Sequence, residues 1–397
     1  MRKMKVLIIN EVCGTGSTGK ICVALAKQFL ENGDEVKIAY GRLDSVPKEC
    51  EEYAVCIGAK KDVYWHALFT RVTDRHGFAS VKATKEFLKW AEEYNPDLVW
   101  LHNIHGYYIN IKLLFNWIKS KPSLAVKWTL HDCWTFTGHC SNFSSVHCSQ
   151  WKTGCRKCPQ KKEYPKACIS KCSKNYADKK ELFSGVGNLE VIVPSEWLKS
   201  LVKESFLKEY PVRVVHNEID RNVFCPTESD FRVQRGITDK KMILGVASVW
   251  NEKKGITDFI KLANMLSDGY VIVLVGLSEK QSKVISGKKV SIEIFEEWNR
   301  NERLENSSGV VVPQSVFAVY EEITGNVFSK MPEKRAEIIP LQRTENVNAL
   351  AGLYSTADFF VNMTYEDNYP TVNLEAVACG TKVITYKTGG CPETIGL

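Results

Sequence analysis

The chain has 397 residues and contains no run of about 18 apolar residues, so no segment of it reads as a membrane-spanning helix. Its start, Met-Arg-Lys-Met-Lys-Val-Leu-Ile-Ile-Asn, passes straight into a strand pattern. It lacks the longer apolar core and small-residue cleavage site of a secretory signal, so a cytoplasmic protein is expected. Acids are scarce in one place. Between Lys152 and Lys180 stand ten Lys or Arg against only Glu163 and Asp178, within a net charge of +7. This run reads either as a solvated face or as a patch drawn to an anionic surface such as lipid headgroups. No nucleic-acid module accompanies it, so nucleic acid is not an expected partner. With 44% hydrophobic and 25% charged residues, there is ample material for two or three globular cores.

Short apolar strands alternate with amphipathic stretches along most of the chain. Lys5–Asn10, Glu35–Tyr40, Leu98–His102, Val126–His131, Leu189–Pro194 and Val212–His216 read as strands, with a helix over Gly19–Asn32 and another beginning after Ser195. A second alternation runs from Met242–Ala247 through Tyr270–Val275, Ile338–Leu341, Asp358–Asn362 and Lys382–Tyr386. Such alternation predicts α/β architecture with two doubly wound parallel sheets. The expected domains are 1–218, with a Cys-rich insertion at about 133–180, and 219–397, with an insertion at about 281–337 that breaks the pattern.

Three loops at predicted strand ends carry chemistry. Gly14-Thr-Gly-Ser-Thr-Gly19-Lys20 matches G-x-G-x-x-G and lets backbone approach a phosphate or sugar closely. Ile21 stands where a P-loop needs Ser or Thr, and Tyr40-Gly41-Arg42 offers no acid for an NAD ribose. A tight strand–helix turn is the plain alternative. His131 closes a strand at the edge where doubly wound sheets bind ligands, and His102, Asn103 and His105 close another; each reads either as a site residue or as a loop anchor. Lys253-Lys254-Gly255 follows the first strand of the second domain, as a cation aimed at a phosphate or as an exposed pair. In Tyr365-Glu-Asp-Asn-Tyr-Pro-Thr-Val-Asn-Leu-Glu375, the carboxylates Asp367 and Glu375 stand eight residues apart around Pro370, which suits a helix start with open N–H groups near Thr371 and Val372.

This last segment, continued by Ala-Val-Ala-Cys-Gly and Gly389-Gly390-Cys391-Pro392-Glu393, resembles the acid-x7-acid signature of retaining glycosyltransferase family 4. The wording is most similar to the branch that builds bacterial capsule, exopolysaccharide and colanic-acid-type polymers. The resemblance implies two Rossmann-like domains facing a cleft (GT-B), here with the C-terminal part apparently truncated after Leu397. It implies transfer of a hexose, with retention, from a UDP- or GDP-sugar to a glycan or lipid-diphosphate-linked acceptor. Site roles follow from it: Lys254 and Lys253 on the donor diphosphate, Glu375 on the ribose, Asp367 on sugar hydroxyls, His131 near the reacting centre, and Gly14, Gly16 and Gly19 near acceptor or phosphate. Peripheral association at the inner face of the plasma membrane is a further expectation. The chain departs from the family in having Asp367 where Glu is usual, with the adjacent Glu366 as the alternative register, Glu218 where Gly is usual, and no Arg in the Ser248–Trp250 region. No Asp-x-Asp pair is evident in either cleft loop, so no metal is expected in catalysis. A nucleotide-sugar epimerase of similar shape, or a catalytically impaired relative, are the alternative readings.

Fourteen cysteines are many for a reducing compartment. Cys140, Cys148, Cys155 and Cys158 fall within nineteen residues, beside His139 and His147. The C-x2-C half suits a structural zinc knuckle; unligated buried or redox thiols are the alternative, and Cys168 or Cys172 could supply a ligand instead. This segment is expected to form a lid or acceptor-facing flap.

Overall fold

The computed structural model describes residues 3–42, 46–287, 315–344 and 346–396. The chain divides into two compact units, Met1–His216 and Asn217–Leu397. The first is built from β1 (Lys5–Ile9), α1 (Gly16–Glu31), β2 (Glu35–Tyr40), β3 (Ala54–Cys56), α2 (Lys60–Thr73), α3 (Val81–Tyr94), β4 (Leu98–Leu101), α4 (Ile111–Lys119), β5 (Ala125–Thr129), α5 (Cys172–Phe183), β6 (Leu189–Val193), α6 (Glu196–Glu204) and β7 (Val212–Val214). Its strands pair in the order β3-β2-β1-β4-β5-β6-β7, with every pairing parallel. Val6, Leu7, Ile8 and Ile9 are all fully buried. A near-continuous apolar run is what a parallel strand covered on both faces requires. Leu7 and Ile9 join one apolar cluster, Val6 and Ile8 the other. The helix α1 starts at Gly16, inside the glycine loop, three residues earlier than the sequence pattern suggests. Ser195 caps α6 by accepting from the Leu198 N–H.

Part of the segment after β5 packs into the first unit's core. Phe136, Phe143 and Trp151 are buried in the same cluster as Trp128, Leu182 and Phe183. Their rings pack in sequence, Phe136 to Trp151 at 5.3 Å and Phe143 to Trp151 at 5.0 Å between centroids. The helix α5, at the end of the expected insertion, joins β5 to the adjacent parallel strand β6, a connection of the kind that parallel pairing demands. The aromatic residues spaced through the segment bury their area in that core.

The second unit consists of α7 (Phe231–Arg235), β8 (Lys241–Val246), α8 (Ile256–Met265), β9 (Tyr270–Val275), α9 (Glu279–Gly287), α10 (Val316–Thr324), β10 (Glu337–Leu341), α11 (Val347–Thr356), β11 (Phe359–Asn362), α12 (Thr371–Ala378) and β12 (Lys382–Thr385). Its parallel strands run in the order β10-β9-β8-β11-β12. Of the stretch 281–337, residues 288–314 lie outside the described residues. At its far end α10 buries Val316, Val319 and Ile323 in one cluster with Phe259 and Leu262 of α8. That part packs into the second unit's core. Its i, i+3, i+7 apolar spacing is helical. Among the described residues no helix is long and apolar enough to cross a membrane.

Both sheets reverse direction once, between β1 and β4 in the first unit and between β8 and β11 in the second. Such switch points open a crevice at the strands' carboxyl ends. In the second unit the loop after β8 meets the loop after β11 at Gly255, which has φ +73°, and an added Cβ would lie 2.3 Å from the Met363 carbonyl oxygen. Replacing it forces backbone apart. The Gly255→Ala variant should lose on the order of 1–3 kcal/mol in urea unfolding of the second unit's transition; a loss below about 0.5 kcal/mol would mean that the two loops are not locked at this position.

Candidate active site

At the second unit's switch point the two loops are joined by paired charges. Lys253 Nζ lies 2.8 Å from Glu366 Oε2, and Lys254 Nζ lies 2.8 Å from Asp367 Oδ2. Backbone bonds set this register: the Tyr365 N–H donates to the Lys253 carbonyl at 2.8 Å, and Thr364 Oγ1 donates to the same oxygen. The Asn251 side chain caps the short turn by accepting from the Lys254 N–H at 3.1 Å. The two pairs differ in access. The Glu366 side chain is 2% exposed, whereas that of Asp367 is 24% exposed. Glu366 is thus a loop anchor, and Asp367 is the carboxylate that a ligand can reach. Burial works against the charge on Lys254, but the Asp367 carboxylate outweighs it and holds the ammonium above the ordinary lysine range.

Beyond Asp367 the chain turns by an Asx bond from the Tyr369 N–H to Asp367 Oδ1 at 3.3 Å. The Asn217 amide donates to the Tyr369 carbonyl, fixing the loop from below. Pro370 is the N-cap of α12 rather than its first helical residue, and no side chain caps this end. The Thr371 and Val372 N–H groups therefore belong to an end that offers positive partial charge. Further along α12, Glu375 Oε2 accepts from the buried Tyr354 hydroxyl of α11 at 2.9 Å. Asn373 ties the helix to its surroundings, accepting from Asn362 at 2.9 Å and donating to Thr394 at 2.8 Å. Gly389 (φ +56°) lies under the acidic loop, where a Cβ would come within 1.9 Å of the Asp367 carbonyl oxygen. Lys253, Lys254, Asp367, the α12 start and Glu375 are all carried by the elements that meet at this one strand-end region.

In the first unit the switch point carries the glycine loop and three histidines. Gly14 and Gly16 have positive φ, and a Cβ on Gly14 would lie 2.6 Å from Pro47 Cδ. Gly19 sits inside α1, where an added Cβ would meet the Gly14 nitrogen at 3.1 Å. The glycines thus serve close packing as well as any ligand approach. His131 lies just beyond β5 and stacks on His102, just beyond β4, with ring centroids 5.2 Å apart and His131 Nε2 3.0 Å from His102 Nδ1. Burial drives His131 down to about 4, with Asp132 opposing the shift and His105 adding to it. Burial likewise drives His102 well below its ordinary value. Asp132 faces His105, with Oδ2 3.0 Å from Nε2, and accepts the Trp134 N–H. His105 Nδ1 is 3.1 Å from the Tyr164 hydroxyl. Burial opposes the His105 charge, but Asp132 prevails and raises it.

The sequence pattern marked His131 and overlooked its neighbour: Asp132 makes the closer acid–base pair, with His105. Tyr164 carried no signal, standing 59 residues from its partner. Tyr354 also went unnoticed, because nothing in a helical Tyr tells which carboxylate it will meet. The four cysteines expected to bind metal do line one cavity, together with Cys172. Among the described residues no group of three or more His, Cys, Asp or Glu stands at metal-ligand spacing.

The folds of both units are those of GT-B glycosyltransferase structures. Over 98% of this chain and 82% of that one, the architecture is similar to sucrose-phosphate synthase from Thermosynechococcus elongatus, at TM-score 0.57 and 15% identity. It is also similar to a UDP-forming trehalose-phosphate synthase from Burkholderia xenovorans, at TM-score 0.55 and 10% identity over 99% and 86% of the two chains. A third likeness is to Anabaena Alr3699/HepE in complex with UDP-glucose, at TM-score 0.52 and 16% identity over 98% and 82%. Residues 323–396 match the family model described as Glycosyl transferases group 1. This segment contains Asp367, the start of α12 and Glu375. Over 134 residues the chain is 33% identical to the putative colanic acid biosynthesis glycosyl transferase WcaC of Escherichia coli K12. That match spans 32% of each protein, so the chain covers about a third of the curated relative.

The buried histidines have a consequence for acid stability. His131 is held to about 4 and His66 to about 3 against an ordinary 6.5, with His102 also lowered, all by burial. Between pH 6.5 and about 4 these groups take up protons only when unfolded, so their contribution is present above 6.5 and is lost as pH falls. His105 acts in the opposite sense. Thermal melts across this window should show the first unit's transition falling steadily toward acid; a flat profile would mean these rings are solvated in the folded chain.

Proposed function

We propose that the chain is a glycosyltransferase that moves a hexose from a nucleotide sugar to a glycan or lipid-linked acceptor in surface-polysaccharide synthesis. One observation carries the reading: a charged lysine, a reachable carboxylate, an uncapped helix start and a second, oriented carboxylate meet at one switch point, within a segment matched by a glycosyltransferase family model. Each element answers one part of a nucleotide sugar. Lys254 and the α12 N–H groups take the diphosphate, whose charge grows as the glycosidic bond breaks. Glu375, oriented by Tyr354, accepts from ribose hydroxyls. Asp367 exchanges part of its pairing with Lys254 for hydroxyls of the sugar, so donor binding loosens the same pair that presets the lysine. Retention of configuration, with the departing phosphate receiving the acceptor's proton, is the mechanism this reading adopts from the family it resembles. UDP is the favoured nucleotide, since structures of the same fold are known with UDP and UDP-glucose. His131 and the Gly14–Gly19 loop serve the acceptor on the first unit.

The acceptor's lipid has a matching feature in the first unit. Tyr64, Trp65, Leu68, Phe69 and Val72 of α2 are exposed, Trp65 at 68%. They share one helical face. Lys60, Lys61 and Arg71 are exposed on the same helix, and the Arg71 carbonyl accepts the Cys168 N–H at 2.8 Å, which brings the basic stretch beside it. Aromatic and aliphatic side chains rimmed by lysine and arginine suit an anionic bilayer surface. Binding to vesicles rich in anionic lipid should weaken several-fold in Trp65→Ser and with added salt; equal binding to neutral vesicles would remove this part of the reading.

Thermal stability against UDP-, GDP- and ADP-sugars tests the donor site. A ligand at 100 times its dissociation constant adds about 2.7 kcal/mol, and the Lys254→Ala variant should lose that shift while unfolding normally without ligand. Nucleoside diphosphate released only when a glycan acceptor is present marks a transferase. Sugar interconverted without acceptor marks an epimerase, and no shift with any donor ends the enzyme reading.

A further inference from the structure

Five thiols surround one small cavity in the first unit, those of Cys140, Cys148, Cys155, Cys158 and Cys172, and His139 lines it with them. The cavity measures about 10 Å³, room for a single ion-sized occupant. His139 is 2% exposed. Its Nδ1 lies 2.5 Å from Asp74 Oδ1, while its buried Nε2 has no hydrogen-bond partner. A buried ring nitrogen without a partner is costly unless something is to meet it. Asp74 is itself fully buried and fixed, its other oxygen accepting the Lys171 N–H at 2.6 Å. A carboxylate that holds one imidazole nitrogen and leaves the other without a hydrogen-bond partner, in a ring lining a thiol cavity, is an arrangement that orients a metal-binding histidine. On the thiol side, the Gly138 N–H donates to Cys155 Sγ at 3.2 Å and fixes the position of that sulfur. Gly138 must be glycine here, since a Cβ would lie 2.1 Å from the Cys172 carbonyl oxygen.

We infer that this cavity is a structural zinc site, with His139 Nε2 and the thiolates of Cys140, Cys155 and Cys158 as ligands and Asp74 as the residue that orients His139. Cys155-x2-Cys158 forms the knuckle half of the site, and the adjacent His139 and Cys140 form the other. Three thiol protons pass to solvent as zinc binds, and no redox change is involved. Since no three such side chains stand at ligand spacing among the described residues, binding requires the sulfurs to draw inward by rotation about χ1. The ion would cross-link the segment after β5 to itself, and Asp74, at the end of α2, would couple that link to a second element. The proposal does not depend on the transfer reaction.

The chain purified under reducing conditions should carry about one zinc, measured by elemental mass spectrometry. Cys158→Ser and His139→Ala should each lose at least tenfold in zinc retained against a chelator, and Cys225→Ser, outside the cavity, should lose none. Where those variants are insoluble, exchange of the wild-type zinc for cobalt gives a second reading: strong tetrahedral bands with thiolate charge transfer are expected. Stoichiometry below about 0.1 after incubation with zinc, cavity thiols recovered as disulfides, or full retention in His139→Ala would overturn the proposal.

Discussion

The second unit's site depends on two neighbouring ion pairs, Lys253 with Glu366 and Lys254 with Asp367. They join loops more than a hundred residues apart in sequence and hold them in one register. The inner pair cannot be left half-made. Glu366 is almost fully buried, and removing the partner of such a carboxylate typically costs about 3–5 kcal/mol. The outer pair leaves its carboxylate partly exposed, 24% against 2% for Glu366, and can be exchanged for a ligand's charges. One pair serves structure so that its neighbour can serve binding.

Two glycines make this arrangement sterically feasible. Gly255 lets the lysine loop press on Met363, and Gly389 lets the chain after β12 pass under Asp367. Both have positive φ, so a side chain would meet strain as well as contact. The helix end at Pro370 has no side-chain cap, as at α1, α3, α5, α8 and α10, so the N–H groups of its first turn stay open to an anion. In the first unit the logic differs. Its strand-end histidines are kept neutral by burial, save His105, which Asp132 holds charged more readily.

Much of the fold was legible in the strands. Runs such as Val6–Ile9 and Val271–Val275 are apolar at every position, and only a strand covered on both faces tolerates that. The candidate site was legible where residue types were unusual for their place: Lys-Lys-Gly after a strand, two acids around a proline, a His ending a strand. The pairing was not. Choosing between Glu366 and Asp367 as the reachable carboxylate takes their burial, which adjacent residues of the same charge do not disclose. In the segment after β5, clustered cysteines and lysines drew attention from Phe136, Phe143 and Trp151, whose place in the core the sequence pattern did not mark. The helix Val316–Thr324 was hidden by the irregular sequence before it.

By itself, then, the sequence determined the alternation of elements, the two parallel sheets and the chemistry available at their strand ends, because those depend on local periodicity and residue type. Tertiary structure alone decided which lysine meets which carboxylate, that Tyr354 orients Glu375, that Asp132 takes His105, and that His139 lines a thiol cavity with its Nε2 free of any hydrogen bond. Each of these is a meeting between side chains separated by tens to hundreds of residues or set by burial, and no spacing rule along the chain encodes such a distance.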